Sequence, residues 1–202
     1  MTTPAKTMNT TRTLKTLSAL ALAGAAPLAM AHVGADAGGH HGLSAGLWHP
    51  FSGLDHLAAM VAVGVWSAST ARRTWLAPLA FAFTLLVGAL LAQGGLALPG
   101  IEPMIAASML VVGLLLAARQ RLPEAAGAAL VAGFALFHGA AHGQELGGLA
   151  ALLGMVASTA VLHLIGLGLG HALRRQPLWW TRAAGALVAL SGLNMAWGLV
   201  AG

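Results

Sequence analysis

Cysteine and tyrosine are absent from the 202 residues, and aspartate and glutamate together number only five. Without thiols, the chain cannot form disulfides, thiolate metal sites or iron–sulfur clusters, and thiol catalysis is excluded. Lysine occurs only at Lys6 and Lys15. The rest of the chain therefore has no residue for a Walker A loop or a lysine Schiff base, which removes P-loop nucleotide hydrolysis and pyridoxal chemistry. Charged residues make up 7% of the chain, against roughly 25% in an average soluble domain. The formal net charge of +5 comes without the clustered basic face interleaved with aromatics that nucleic-acid binding requires. No nucleic acid or nucleotide partner is expected. What is present is 58% hydrophobic residues, 27 glycines and nine histidines, so imidazole outnumbers carboxylate.

The positive charges Lys6, Arg12 and Lys15 precede a short apolar run from Leu17 to Leu28, which ends in Ala29-Met30-Ala31. That order of charge, apolar run and A-x-A pattern predicts a cleaved signal peptide over residues 1–31, because the run is shorter than the ~20 residues a membrane span needs. Cleavage would expose His32 as a new N-terminus. A His- and Gly-rich segment, 32–46, follows, and residues 47–202 form the body of the chain.

In that body, six apolar segments alternate with brief polar punctuation, at about 47–70, 75–96, 104–118, 125–144, 149–173 and 178–200. Each is near the length of a ~30 Å hydrocarbon core, and the third is the shortest. Pro99, Pro103, Pro123 and Pro177 fall in the connections. The expected fold is all-α, a six-helix transmembrane bundle. Arg72 and Arg73, Arg119 and Arg121, and Arg174 and Arg175 occupy alternate connections, with Arg182 just inside the last segment. The positive-inside rule places those connections in the cytoplasm and both mature termini in the periplasm. Trp48, Trp75, Trp179 and Trp180 lie near segment ends, where indole anchors to the interface. The lipid bilayer is the expected environment, and a homo-oligomer is left open.

Two motifs carry the chemistry. The first segment begins His49-Pro50-Phe51-Ser52-Gly53-Leu54-Asp55-His56, and the fourth ends Phe137-His138-Gly139-Ala140-Ala141-His142-Gly143-Gln144-Glu145. In continuous helices, His49 and His56 share a face beside Asp55, and His138, His142 and Glu145 share another. Span one runs inward and span four outward, so facing helices would stack an outer layer of His49, His142 and Glu145 over an inner layer of Asp55, His56 and His138. Ionisable groups inside spans are costly and mark functional paths. His with carboxylate and no Cys suits Ni²⁺, Co²⁺ or Zn²⁺, each layer offering donors for one divalent ion. Pro50 near the start of the first segment, and Gly139 and Gly143 in the fourth, would allow close backbone approach or a local kink.

Other imidazoles extend the pattern. His32, His40 and His41 lie outside as capture residues, His163 lies about 20 Å below the outer end of span five, and His171 is close to the cytoplasmic arginines. Asn194, Ser191, Gln93 and Glu102 read as hydrogen-bond partners or loop residues. Gly166-Leu167-Gly168-Leu169-Gly170 has no preceding strand and reads as helix packing rather than a nucleotide loop.

The patterns HPxxGxDH and FHGxAHGxE, with the signal sequence and six short spans, resemble the HupE/UreJ family of bacterial nickel/cobalt permeases over essentially the whole mature chain. The resemblance implies secondary uptake of Ni²⁺, or Co²⁺ in some members, across the bacterial inner membrane, in support of nickel enzymes. It also implies metal handling by His49, Asp55, His56, His138, His142 and Glu145, with no prosthetic group and no enzymatic activity. Two other readings remain on the residues alone: an intramembrane zinc-dependent hydrolase, and a haem-binding bundle.

Overall fold

A computed structural model describes residues 40–201; the expected signal peptide, 1–31, and His32 lie outside the described residues. The chain runs β1 (His40–His41), α1 (Leu43–Ser52), α2 (Leu54–Thr70), α3 (Leu76–Gln93), α4 (Ile101–Ala117), α5 (Glu124–Glu145), β2 (Leu146–Gly147), α6 (Gly148–Leu173) and α7 (Leu178–Ala201). Four of these helices, α3, α5, α6 and α7, are each long and apolar enough to cross a membrane. The protein is therefore a multi-pass, all-helical membrane protein. The six apolar segments of the sequence map onto these helices with two differences. Helix α4 has 17 residues, about 25 Å at 1.5 Å per residue, which is short of a typical hydrocarbon core. The first segment is not one helix but two, α1 and α2, bent by 85° at Gly53.

That bend has local causes. Pro50 lies in the last turn of α1 and lacks the N–H that would continue the backbone ladder. Gly53 is extended, with φ −100° and ψ 114°, and serves both as the C-cap of α1 and the N-cap of α2. The expected shared helical face of His49 and His56 is thus replaced by a corner, with His49 before it and Asp55 and His56 after it. Ser158 of α6 ties the middle of α1 to α6 by donating to the Leu47 carbonyl at 2.6 Å.

Three close helix pairings build the bundle: α3 on α5, α4 on α7, and α1 with α2 on α6. Each forms where glycine removes the side chain between two backbones, as expected when lipid offers no hydrophobic drive for helix association. A Cβ on Gly139 would collide with the Leu85 carbonyl, and one on Gly143 with that of Ala89. These two glycines therefore seat α5 on α3 and do not kink it. Gly113, Gly185 and Gly192 play the same part between α4 and α7. Gly166 packs against Val61 and Gly64 of α2 from the middle of α6, so the Gly-rich run is helix packing.

A two-residue parallel bridge is the one departure from all-helical structure among the described residues: His40 pairs with Leu146 and His41 with Gly147. The bridge needs a sharp turn after Glu145, which Gly148 supplies at φ 81°. At the opposite end of the bundle, Glu124 accepts hydrogen bonds from the backbone N–H groups of Arg72 and Arg73 at 3.1 and 2.9 Å. Trp66 Nε1 donates to the Gln120 carbonyl at 3.0 Å. The arginine connections 71–75 and 118–123 are thereby joined, and the His motifs lie at the other end of α2 and α5.

Candidate functional site

The FHGxAHGxE segment divides its work between two neighbouring faces of α5. Gly139 and Gly143 face α3, while His138 and His142, each one position earlier, face the α1–α2 corner. The backbones of α2 and α5 are not among the close pairings; their side chains meet. The His49 and His142 rings have centroids 4.8 Å apart, His56 and His138 are 5.1 Å apart, and His56 and His142 are 4.4 Å apart. Residues from both motifs thus form one array. The expected outer and inner layers are joined, because His56 touches a ring of each.

The outer part is His49, His142 and Glu145, which can offer ligand atoms all within 4.8 Å of one another. His49 Nε2 lies 2.8 Å from Glu145 Oε2, and His142 Nδ1 lies 3.8 Å from the same oxygen. Exposure falls steeply across the group: the Glu145 side chain is 53% exposed, His49 17% and His142 2%. An approaching ion would meet the flexible carboxylate first and the dry imidazole last.

The inner part differs from its expected form. Asp55 is turned onto its neighbour, with Oδ1 3.1 Å from His56 Nδ1, a contact that orients the His56 ring. A carboxylate can only accept, so His56 Nδ1 carries the proton and its lone pair sits on Nε2. That atom is buried and has no hydrogen-bond partner. His138 follows the same logic through a residue that motif reading did not single out. Ser108 of α4 donates its single hydroxyl proton to the Ile105 carbonyl at 2.7 Å, so at 2.8 Å from His138 Nε2 it accepts. Nε2 of His138 is then protonated, and the lone pair lies on Nδ1, also buried without a partner. Beyond its first turn, α4 has no polar side chain except Ser108. A lone hydroxyl in an apolar span must find a partner, and that was the available signal.

Deeper still, His163 of α6 places Nδ1 2.8 Å from the Met60 carbonyl. The Phe81 ring touches both His138, at 5.6 Å, and His163, at 5.1 Å. The remaining sequence candidates separate from this array. His171 is exposed and bonds its own helix at the Leu167 carbonyl. Gln93 donates to the Leu146 carbonyl at 2.7 Å, which makes it a packing partner beside the bridge. Ser191 bonds back to Leu187 within α7. Backbone pairing brings His40 and His41 next to the turn that follows Glu145.

A buried imidazole that lacks a hydrogen-bond partner carries a desolvation cost. Four buried nitrogens in one array, on His56, His138 and His142, have no hydrogen-bond partner; since a neutral imidazole keeps one N–H, they amount to three lone pairs, one on each ring, and one N–H on His142. The oriented ring with its other nitrogen held by a carboxylate or hydroxyl is the usual arrangement behind a metal ligand.

Residues 20–195 match the family described as HupE / UreJ protein. A curated relative, Protein HupE from Rhizobium leguminosarum bv. viciae, is 42% identical over 184 residues, covering 88% of this chain and 93% of its own length. No solved structure matches the chain.

Proposed function

The chain belongs to the HupE/UreJ family, and from that premise we propose that it is a permease taking up a divalent transition-metal ion, Ni²⁺ or Co²⁺, with Zn²⁺ as a competing cargo. The ion is the substrate, and no prosthetic group or enzymatic step is invoked. The observation that carries this reading is the set of unpartnered lone pairs on His56 Nε2, His138 Nδ1 and His142 within one array of touching rings. Glu145 and His49 receive the hydrated ion, His142 replaces part of its water, and His56 and His138 hold it at the next step. Imidazole is a borderline donor that suits Ni²⁺, Co²⁺ and Zn²⁺. Asp55 and Ser108 act from behind the ligands by fixing which nitrogen each ring presents.

In the cell, the N-terminal segment 1–31 serves as a cleaved signal peptide, the six apolar segments all cross the inner membrane, and the arginine connections face the cytoplasm. The array then opens to the periplasm, with His32, His40 and His41 as capture residues at its mouth. A doubly charged ion moving inward down a ~100 mV potential releases about 4.6 kcal/mol, so no nucleotide hydrolysis is needed. The hydrolase alternative requires a single open tetrahedral centre facing a substrate channel. A stepped array that runs from an exposed carboxylate to buried imidazoles favours passage.

The test is uptake of Ni²⁺, Co²⁺ and Zn²⁺ into proteoliposomes. The native protein should accumulate at least one of them, and His56→Ala and His138→Ala should each lower the rate about tenfold or more. Native-like uptake in both variants would remove the inner rings from the path, and amide or lipid turnover lost with the same substitutions would favour the hydrolase.

A further inference from the structure

We propose that His163 and Thr159 form a second cation-binding position, deeper in the bundle and past Phe81, at which the ion dwells after leaving the His56–His138 rings. This rests on the permease reading above.

His163 and Thr159 are one helical turn apart on α6, so their side chains emerge on the same face. Both are fully enclosed, at 2% and 0% exposure. His163 Nδ1 is 2.8 Å from the Met60 carbonyl, which can only accept, so Nδ1 carries the proton and the lone pair is on Nε2. Nε2 has no partner. Thr159 Oγ1 is also buried without a partner, and this is unusual for a helical threonine. The ordinary recourse of a hydroxyl in an apolar helix is the carbonyl one turn back, and in this protein Thr70, Thr84 and Ser191 all use it. Thr159 does not. An imidazole lone pair and a hydroxyl oxygen on one face of α6, both unused, make a neutral N,O pair that fits a borderline divalent ion still carrying part of its water.

The position is set apart from the outer array. Phe81 touches both His138 and His163 and is buried, so a step from one imidazole to the other runs past an apolar ring. Apolar rings on an ion path can gate it by excluding water, and conduction requires binding weak enough, or spread over enough sites, for the ion to leave.

Two substitutions separate a ligand from a packing role. His163→Asn keeps an N–H donor where Nδ1 meets the Met60 carbonyl and deletes Nε2. Thr159→Val keeps the shape and deletes an oxygen that makes no hydrogen bond. If both residues only pack, His163→Asn should lose stability through the cavity left beside Phe81 while uptake per folded molecule stays native, and Thr159→Val should melt at the same temperature or higher with unchanged uptake. The proposal predicts that Thr159→Val raises or preserves the melting temperature yet lowers Ni²⁺ uptake into proteoliposomes. Uptake should also fall about tenfold in His163→Asn, while Ni²⁺ affinity at the outer array stays within about threefold of native. Uptake above half of native in both variants would overturn it. If His163→Asn fails to fold, the opposed signs for Thr159→Val decide. If the native protein binds Ni²⁺ but moves none of the three ions, the permease reading falls, and binding stoichiometry decides the inner position: two ions per chain in the native protein and one in His163→Asn support it, whereas equal values overturn it.

Discussion

At the scale of single residues, the candidate site is defined by which nitrogen each imidazole offers. Asp55 and Ser108 settle that question for His56 and His138. Ser108→Ala should release the His138 ring and leave Nε2–H without an acceptor, lowering Ni²⁺ affinity or uptake about 10-fold to 100-fold, the range for residues supporting a metal ligand. Ser108→Thr keeps the hydroxyl and should recover much of the loss. Parallel uptake and thermal-melting series on the two variants check this; equal uptake in Ser108→Ala and the native protein would assign the serine to packing alone. The six motif residues were legible in the sequence because ionisable groups stand out in an apolar span. Ser108 was not legible, because a serine has no fixed partner until α4 is placed beside α5. The division of labour among carboxylates was also hidden: Glu145 faces the opening, whereas Asp55 is committed to its neighbour, and adjacent residues in a motif do not reveal which contact wins.

At the scale of elements, the glycines decide which helices touch. Gly139 meets the Leu85 backbone, whereas Gly133, on the same helix, meets nothing within 4 Å. Gly139→Ala should therefore destabilise the protein by about 1–3 kcal/mol through overpacking against an immovable carbonyl, and should disturb the array by tilting α5 away from α3. Gly133→Ala should be neutral or stabilising by about 0.5–1 kcal/mol, because alanine is the better helix former. Unfolding midpoints in detergent distinguish the two, and a Gly139→Ala variant as stable as Gly133→Ala would contradict the seating described above. Segment positions were legible from apolar runs and proline punctuation. Partner choice was not, since small residues recur in every span and offer many equivalent faces. The corner at Gly53 was legible in part: Pro50 signals a local kink in the first segment, but the apolar pattern continues through Gly53, so the size of the bend and the division into two helices were hidden.

At the scale of the whole molecule, the central question is which end faces which compartment. The absence of cysteine makes the chain ready for single-cysteine labelling without background substitutions. Thr74→Cys and Gln176→Cys, in arginine-bearing connections, should react with an impermeant maleimide only after the membrane is opened, while Leu96→Cys and Leu149→Cys should react in intact spheroplasts. The reverse pattern would invert the orientation, and labelling of Thr74→Cys and Leu96→Cys from the same side would show that α3 does not cross. Helix α4 adds a second expectation: crossing the membrane as proposed, its 17 residues would require local thinning of a bilayer of ordinary thickness. Uptake should be faster in vesicles of shorter-chain lipids than in longer ones.

The break between α1 and α2 also has an electrostatic consequence. A helix carries about half a unit of negative charge at its C-terminus and the same positive charge at its N-terminus. A continuous helix has poles only at its two far ends, whereas the break at Gly53 creates a further C-terminus, of α1, and N-terminus, of α2, that meet there at an angle of 85°. Asp55 sits in the first turn of α2, where it offsets the positive pole, and His49 sits in the last turn of α1, beside the negative one. With Asp55 offsetting the positive pole of α2, the peptide dipoles of α1 would leave a net attraction for cations beside His49, and removing the Asp55 charge should weaken it.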